Sequence, residues 1–108
     1  MTEISSQITA SQLSQWKSQG LEHQLIDIRE DYEVATCTIQ GTHIPMAEIS
    51  SRTDEIRKDI PVVIHCKSGR RSEAVVEHLQ RLGFSNVNSL RGGILAWIDS
   101  VDPTLERY

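Results

Sequence analysis

The chain has 108 residues, 38% of them hydrophobic, a size that suits one compact domain able to bury a single core without metal or disulfide support. Its net charge is −4, which argues against non-specific binding of nucleic acid or of an anionic membrane surface. No apolar run approaches the ~20 residues of a membrane span, and the polar stretch from Met1 to Gln12 lacks the apolar region of a signal peptide, so a cytoplasmic protein with one domain over residues 1–108 is expected.

Thr9, with Gln12 three residues on, forms a capping-box pattern, and Leu13, Trp16 and Lys17 continue a helix that Gly20 ends. "LIDIRE", residues 25–30, reads as a strand whose apolar Leu25, Ile26 and Ile28 give way to charge. A short helix is expected over Asp31 to Ala35, an extended piece at "THIP", and a short helix around Asp54 to Lys58. Val62, Val63 and Ile64 follow Pro61 as a β-branched run that fits either a strand buried on both faces or the start of a buried helix. The polar turn signal Lys67-Ser68-Gly69-Arg70 decides for a strand, and Ala74, Val75, Leu79 and Leu82 then recur at helical spacing up to Gly83. "NVNSL" is a further strand, followed by Gly92-Gly93 and the apolar "ILAWI". Strands alternating with helices predict an α/β fold, a mainly parallel central sheet with helices on both faces. Ligands of such sheets bind beyond the carboxyl ends of the strands. The loops after Ile28, His65 and Leu90 should therefore meet there, around Cys66.

A thiolate is the reactive form of cysteine, and an unassisted thiol is mostly protonated at neutral pH. Three features favour an anionic sulfur at Cys66. The backbone N–H groups of a loop pivoting on Gly69 can curl around it, the following helix points its N-terminus at it, and Lys67, Arg70 and Arg71 add positive charge. With Glu73 the only anion from 66 to 73, this segment is locally cationic in an acidic chain. Cations at a helix N-terminus oppose its dipole unless they serve something anionic. The plain alternative is an inert buried cysteine beside a solvated charged loop. The two cysteines, Cys37 and Cys66, form neither a C-x-x-C motif nor a Cys/His pair, so no metal or cofactor is expected.

The pattern Cys66-x-x-Gly69-x-Arg71-Ser72 resembles the active-site loop of the rhodanese family, sulfurtransferases that carry sulfane sulfur as a cysteine persulfide. "LIDIREDYEVATCTIQGTHIPMAEI" and "LRGGILAWIDSVDPTLERY" are similar to other segments of that family. The ending, with Asp102-Pro103 and Tyr108, is most similar to rhodanese domains attached to adenylyltransferases of molybdopterin and thiamine biosynthesis. No Gly-rich βαβ fingerprint of an adenylyltransferase is present in the chain.

The resemblance implies that Cys66 is the persulfide carrier and that Lys67, Ser68, Gly69, Arg70, Arg71 and Ser72 cradle the sulfur and bind substrate. Lys67, Arg70 and Arg71 would attract an anionic donor such as thiosulfate, or the carboxylate end of a Gly-Gly-ending sulfur-carrier protein. A cysteine desulfurase is the other donor in view. Ser72 is placed to cap the helix with its hydroxyl facing the loop. Asp27 and Arg29 match the family's Asp-x-Arg and are expected to support the loop. Cys37 stands where the family commonly has glycine, and is expected to pack in the core rather than resolve the persulfide. His65 is assigned no base role, because neighbouring side chains on a strand point to opposite faces; Trp16 and Trp97 are expected in the core.

Rival readings are a thiol redox sensor, a non-catalytic rhodanese-like interaction module and, less favoured, a cysteine phosphatase. The phosphatase signature places five residues between cysteine and arginine. Cys66 and Arg71 enclose only four, a ring better sized to one sulfur than to a phosphate with three oxygens to hold.

Overall fold

The computed structural model describes residues 6–108. Its elements are β1 (Gln7–Ile8), α1 (Ala10–Gln19), β2 (Gln24–Asp27), α2 (Asp31–Thr36), β3 (Thr42–His43), β4 (Val62–His65), α3 (Arg70–Arg81), β5 (Val87–Leu90) and α4 (Gly93–Ser100), with two 3-10 turns, Met46–Ser51 and Thr53–Glu55, between β3 and β4. The five strands form one parallel sheet in the order β1-β5-β4-β2-β3. β4 is the middle strand, and the apolar run 62–64 is accordingly buried on both faces.

Strand alternation divides the core in two. Ile26, Val62 and Ile64 face α3, packing with Val75, Val76 and Leu79 and with Ile49 and Ile56 of the connection after β3. Leu25, Val63 and Leu90 face the other way, against Leu13 of α1 and Ile94, Trp97 and Ile98 of α4. Trp97 is buried there and Trp16 packs half-buried on the same cluster. The α/β architecture with helices on both faces is thus the one expected. α1 carries the complete Thr9/Gln12 capping box and ends at Gly20 in a left-handed conformation.

Two local expectations are corrected, and one strand was not anticipated. No α-helix forms around Asp54–Lys58: Ile56 is extended, and the Gln24 side chain takes the backbone groups a helix would have used, donating to Glu55 O and accepting from Arg57 N–H. The strand expected over 25–30 stops at Asp27, although the Ile28 N–H still reaches the His65 carbonyl at 3.1 Å. β1, too short to show a period, is an edge strand paired with β5.

Candidate active site

Cys66 is the first residue after β4 and only 1% exposed. The chain turns back at Gly69, whose φ of +105° suits glycine alone, and the Gly69 N–H donates to Cys66 Sγ at 3.1 Å. α3 then begins at Arg70. Its first intrahelical bond runs from Glu73 N–H to Gly69 O, so the N–H groups of Arg70, Arg71 and Ser72 have no intrahelical partner at the end of the helix that faces the sulfur. The Cys66 thiol donates to Ser72 Oγ at 3.6 Å. Ser72 is not the helix cap that the sequence suggested: Gly69 occupies that position, the helix starts three residues earlier than a Ser72 cap would set it, and the buried Ser72 hydroxyl donates to Gly69 O at 3.1 Å and shares a 2.7 Å hydrogen bond with Ser89 on β5.

The loop after β5 closes on this turn. Ile94 N–H donates to Cys66 O at 2.9 Å and Leu95 N–H to Lys67 O at 3.1 Å, so the start of α4 holds the backbone at the cysteine and just after it. Of the three loops expected to gather here, this one and the Cys66 loop are in direct contact.

The three cations differ in their surroundings. Arg71 donates both terminal nitrogens to Glu33, at 2.9 Å each. Those bonds, with Glu30 N–H and the Tyr108 hydroxyl, overcome the burial of the carboxylate and hold Glu33 at about 2, far below its ordinary value. Lys67 Nζ lies 4.5 Å from the Tyr108 ring centroid. Arg70 and Ser68 are exposed. Glu33 and Tyr108 belong to the site's surroundings although the motif does not contain them. The Glu30-x-x-Glu33 spacing of the α2 capping box is a legible signal for the first.

Asp27 and Arg29 do not touch Cys66. Arg29 is fully buried and clamps Asp27 at 2.9 and 2.8 Å; it also donates to the carbonyls of Glu33 and Cys37 and to the Tyr108 hydroxyl. Burial opposes the charge on Asp27, yet the Arg29 hydrogen bonds hold its carboxyl below the usual carboxylate range. Beside it His65 is buried, and desolvation lowers its pKa. Arg29 thereby ties the end of β2 to the middle and the C-terminal cap of α2 and to residue 108. Cys37 is buried with the α1/α4 cluster and Cys66 with the α3 cluster, and both are free thiols. This separation leaves an internal Cys37–Cys66 redox pair without structural support.

Among the described residues no group of three or more His, Cys, Asp and Glu side chains is placed to hold a metal ion, and no helix is long and apolar enough to cross a membrane. The family model described as a rhodanese-like domain matches residues 9–100. A sulfurtransferase of Allochromatium vinosum is 40% identical over 92 residues, 84% of this chain and 86% of that protein. An adenylyltransferase and sulfurtransferase of Drosophila yakuba is 32% identical over 101 residues, which cover 85% of this chain and 22% of that protein. The crystal structure of a rhodanese-like domain protein from Staphylococcus aureus superposes with a TM-score of 0.80 at 30% identity, covering 95% of this chain and 98% of that one.

Proposed function

The chain belongs to the rhodanese-like domain family, and we propose that it is a sulfurtransferase carrying sulfane sulfur as a persulfide on Cys66. The observation that carries this reading is the placement of Sγ: it accepts the Gly69 N–H at the mouth of α3, where the first-turn N–H groups are free to meet a second sulfur. Loading needs the Cys66 thiolate to attack the sulfane sulfur of a donor. The new S–S bond forms on Cys66, and the donor's bond to that sulfur breaks with its electron pair leaving on sulfite or on a thiolate. In the second half, a thiophile attacks the outer sulfur and the electron pair returns to Sγ.

The role of the site is then to hold negative charge that moves outward by one atom. Gly69 N–H serves Sγ, and Ser72 Oγ accepts a hydrogen bond from the thiol in the resting state. In the anionic states Ser72 can turn its own proton from Gly69 O to the sulfur. The donors proposed are thiosulfate or a protein persulfide such as that of a cysteine desulfurase. The acceptor is a thiophile, with a Gly-Gly-ending carrier protein the macromolecular candidate, in keeping with the relative that is both adenylyltransferase and sulfurtransferase. Intact-mass measurement after incubation with donor should show one added sulfur, absent in Cys66→Ala. Sulfur uptake that persists in that variant would refute the assignment.

A further inference from the structure

The loop's positive charge, conspicuous in the sequence, is largely answered by the fold. Glu33 is a buried carboxylate that accepts from Arg71 twice, from the Tyr108 hydroxyl at 2.8 Å and from Glu30 N–H at 2.9 Å. Drawing Arg71 toward a bound anion would strand that carboxylate without its counter-charge, which offsets whatever the anion gains. Lys67 stacks on Tyr108, and the exposed Glu30 and Asp31 stand at the start of α2 beside Glu33. Among the described residues, Arg70 is the one loop cation with neither an ion pair nor an aromatic partner.

We propose that Glu33 is a specificity-determining residue: by neutralising Arg71 beside Cys66, it turns the site toward donors whose sulfane sulfur sits on a thiol, R–S–SH, and away from dianionic thiosulfate. The inference rests on the sulfur-transfer reading above. With R–S–SH, the Cys66 thiolate takes the terminal sulfur together with its proton, and the electron pair of the old S–S bond leaves on R–S⁻. With thiosulfate the leaving group is sulfite, and the donor brings two negative charges that only a cationic mouth rewards.

The test compares the native protein with Glu33→Gln, which keeps a capping-box acceptor for Glu30 N–H and removes the charge. Thiosulfate and the persulfide of 2-mercaptoethanol serve as donors. Independently of transfer, the rates at which anionic iodoacetate and neutral iodoacetamide alkylate Cys66 report the local charge. In Glu33→Gln the thiosulfate KM should fall roughly threefold to tenfold with kcat and the low-charge donor little changed, and the iodoacetate-to-iodoacetamide ratio should rise by a similar factor. A ratio and a KM that do not move would overturn the proposal. If the variant fails to fold, Arg70→Ala, which removes the one uncompensated loop cation, decides: its alkylation ratio should be nearly independent of salt, and a ratio falling several-fold as salt is added would reveal Arg71 as uncompensated and overturn the proposal. Failure of every donor to load Cys66 would refute the transfer reading instead, while the alkylation ratio would still judge Glu33.

Discussion

Gly93 lies so close to the backbone of Lys67 that a Cβ at position 93 would stand 2.3 Å from the Lys67 carbonyl oxygen. The contact lets the start of α4 donate Ile94 and Leu95 N–H groups to the carbonyls of Cys66 and Lys67. Gly93→Ala should therefore displace the loop, lower stability by roughly 1–3 kcal/mol and reduce sulfur loading at least tenfold. Gly20→Ala is the control: its φ is also positive, +71°, but nothing lies within 4 Å of the added carbon, so it should cost about 1 kcal/mol and leave loading intact. Denaturant midpoints and single-turnover mass measurements check both, and equal effects of the two variants would show that the close approach is unimportant.

Ser72 and Ser89 share one hydrogen-bonded unit behind Sγ. Ser72→Ala removes the group that touches the sulfur and should slow loading roughly tenfold. Ser89→Ala should have a smaller effect, because it only loosens the orientation of the Ser72 hydroxyl. Once Ser72 is alanine, the second substitution should add almost nothing. A double-mutant cycle on the loading rate reads this coupling; independent, multiplying effects would separate Ser89 from the site.

The Glu33–Arg71 pair should shape stability in acid. The carboxyl titrates at about 2 in the folded protein against an ordinary value of 4.5. The folded value is the lower one, so the stabilisation is complete above about pH 4.5 and is lost as pH falls from there through about 2. Its size is up to about 3 kcal/mol, and the depressed Asp27 carboxyl adds in the same direction. Glu33→Gln should be less stable than the native protein at neutral pH and converge with it near pH 2. Two parallel stability curves across that window would mean that Glu33 contributes no such linkage.

Cys66 and Gly69 could be read from the sequence because the β-branched run, the turn and the helix that place them are consecutive residues. The charge balance could not. Glu33 reaches Arg71 through the β2–β4 register, Ser89 reaches Ser72 through β4–β5, and Tyr108 arrives from the segment after α4. None of these meetings has a local signature. Reading Ser72 as the cap followed from composition alone, since a serine is the usual cap; Gly69 in a left-handed conformation took the place and left the hydroxyl free for the sulfur and Ser89. Asp54–Lys58 misled for the opposite reason: its helix-forming residues were overridden by the Gln24 side chain.

Adjacent arginines should behave differently on replacement. Arg71→Ala leaves Glu33 buried without its guanidinium, and should cost roughly 1–3 kcal/mol of stability, less than a fully buried pair because the Arg71 side chain is 34% exposed. Arg70 is exposed, so Arg70→Ala should leave the denaturation midpoint within about 0.5 kcal/mol of the native value. Its effect should fall on capture of an anionic donor, with the thiosulfate KM rising roughly twofold to fivefold at low ionic strength and kcat nearly unchanged. Added salt should erase that difference, because an exposed charge acting at a distance is screened while a hydrogen-bonded contact is not. Should the Arg70→Ala effect persist in high salt, Arg70 would be touching the donor directly; should Arg71→Ala cost no stability, the Glu33 clamp would be weaker than its two 2.9 Å hydrogen bonds imply, and Arg71 would be available to substrate after all.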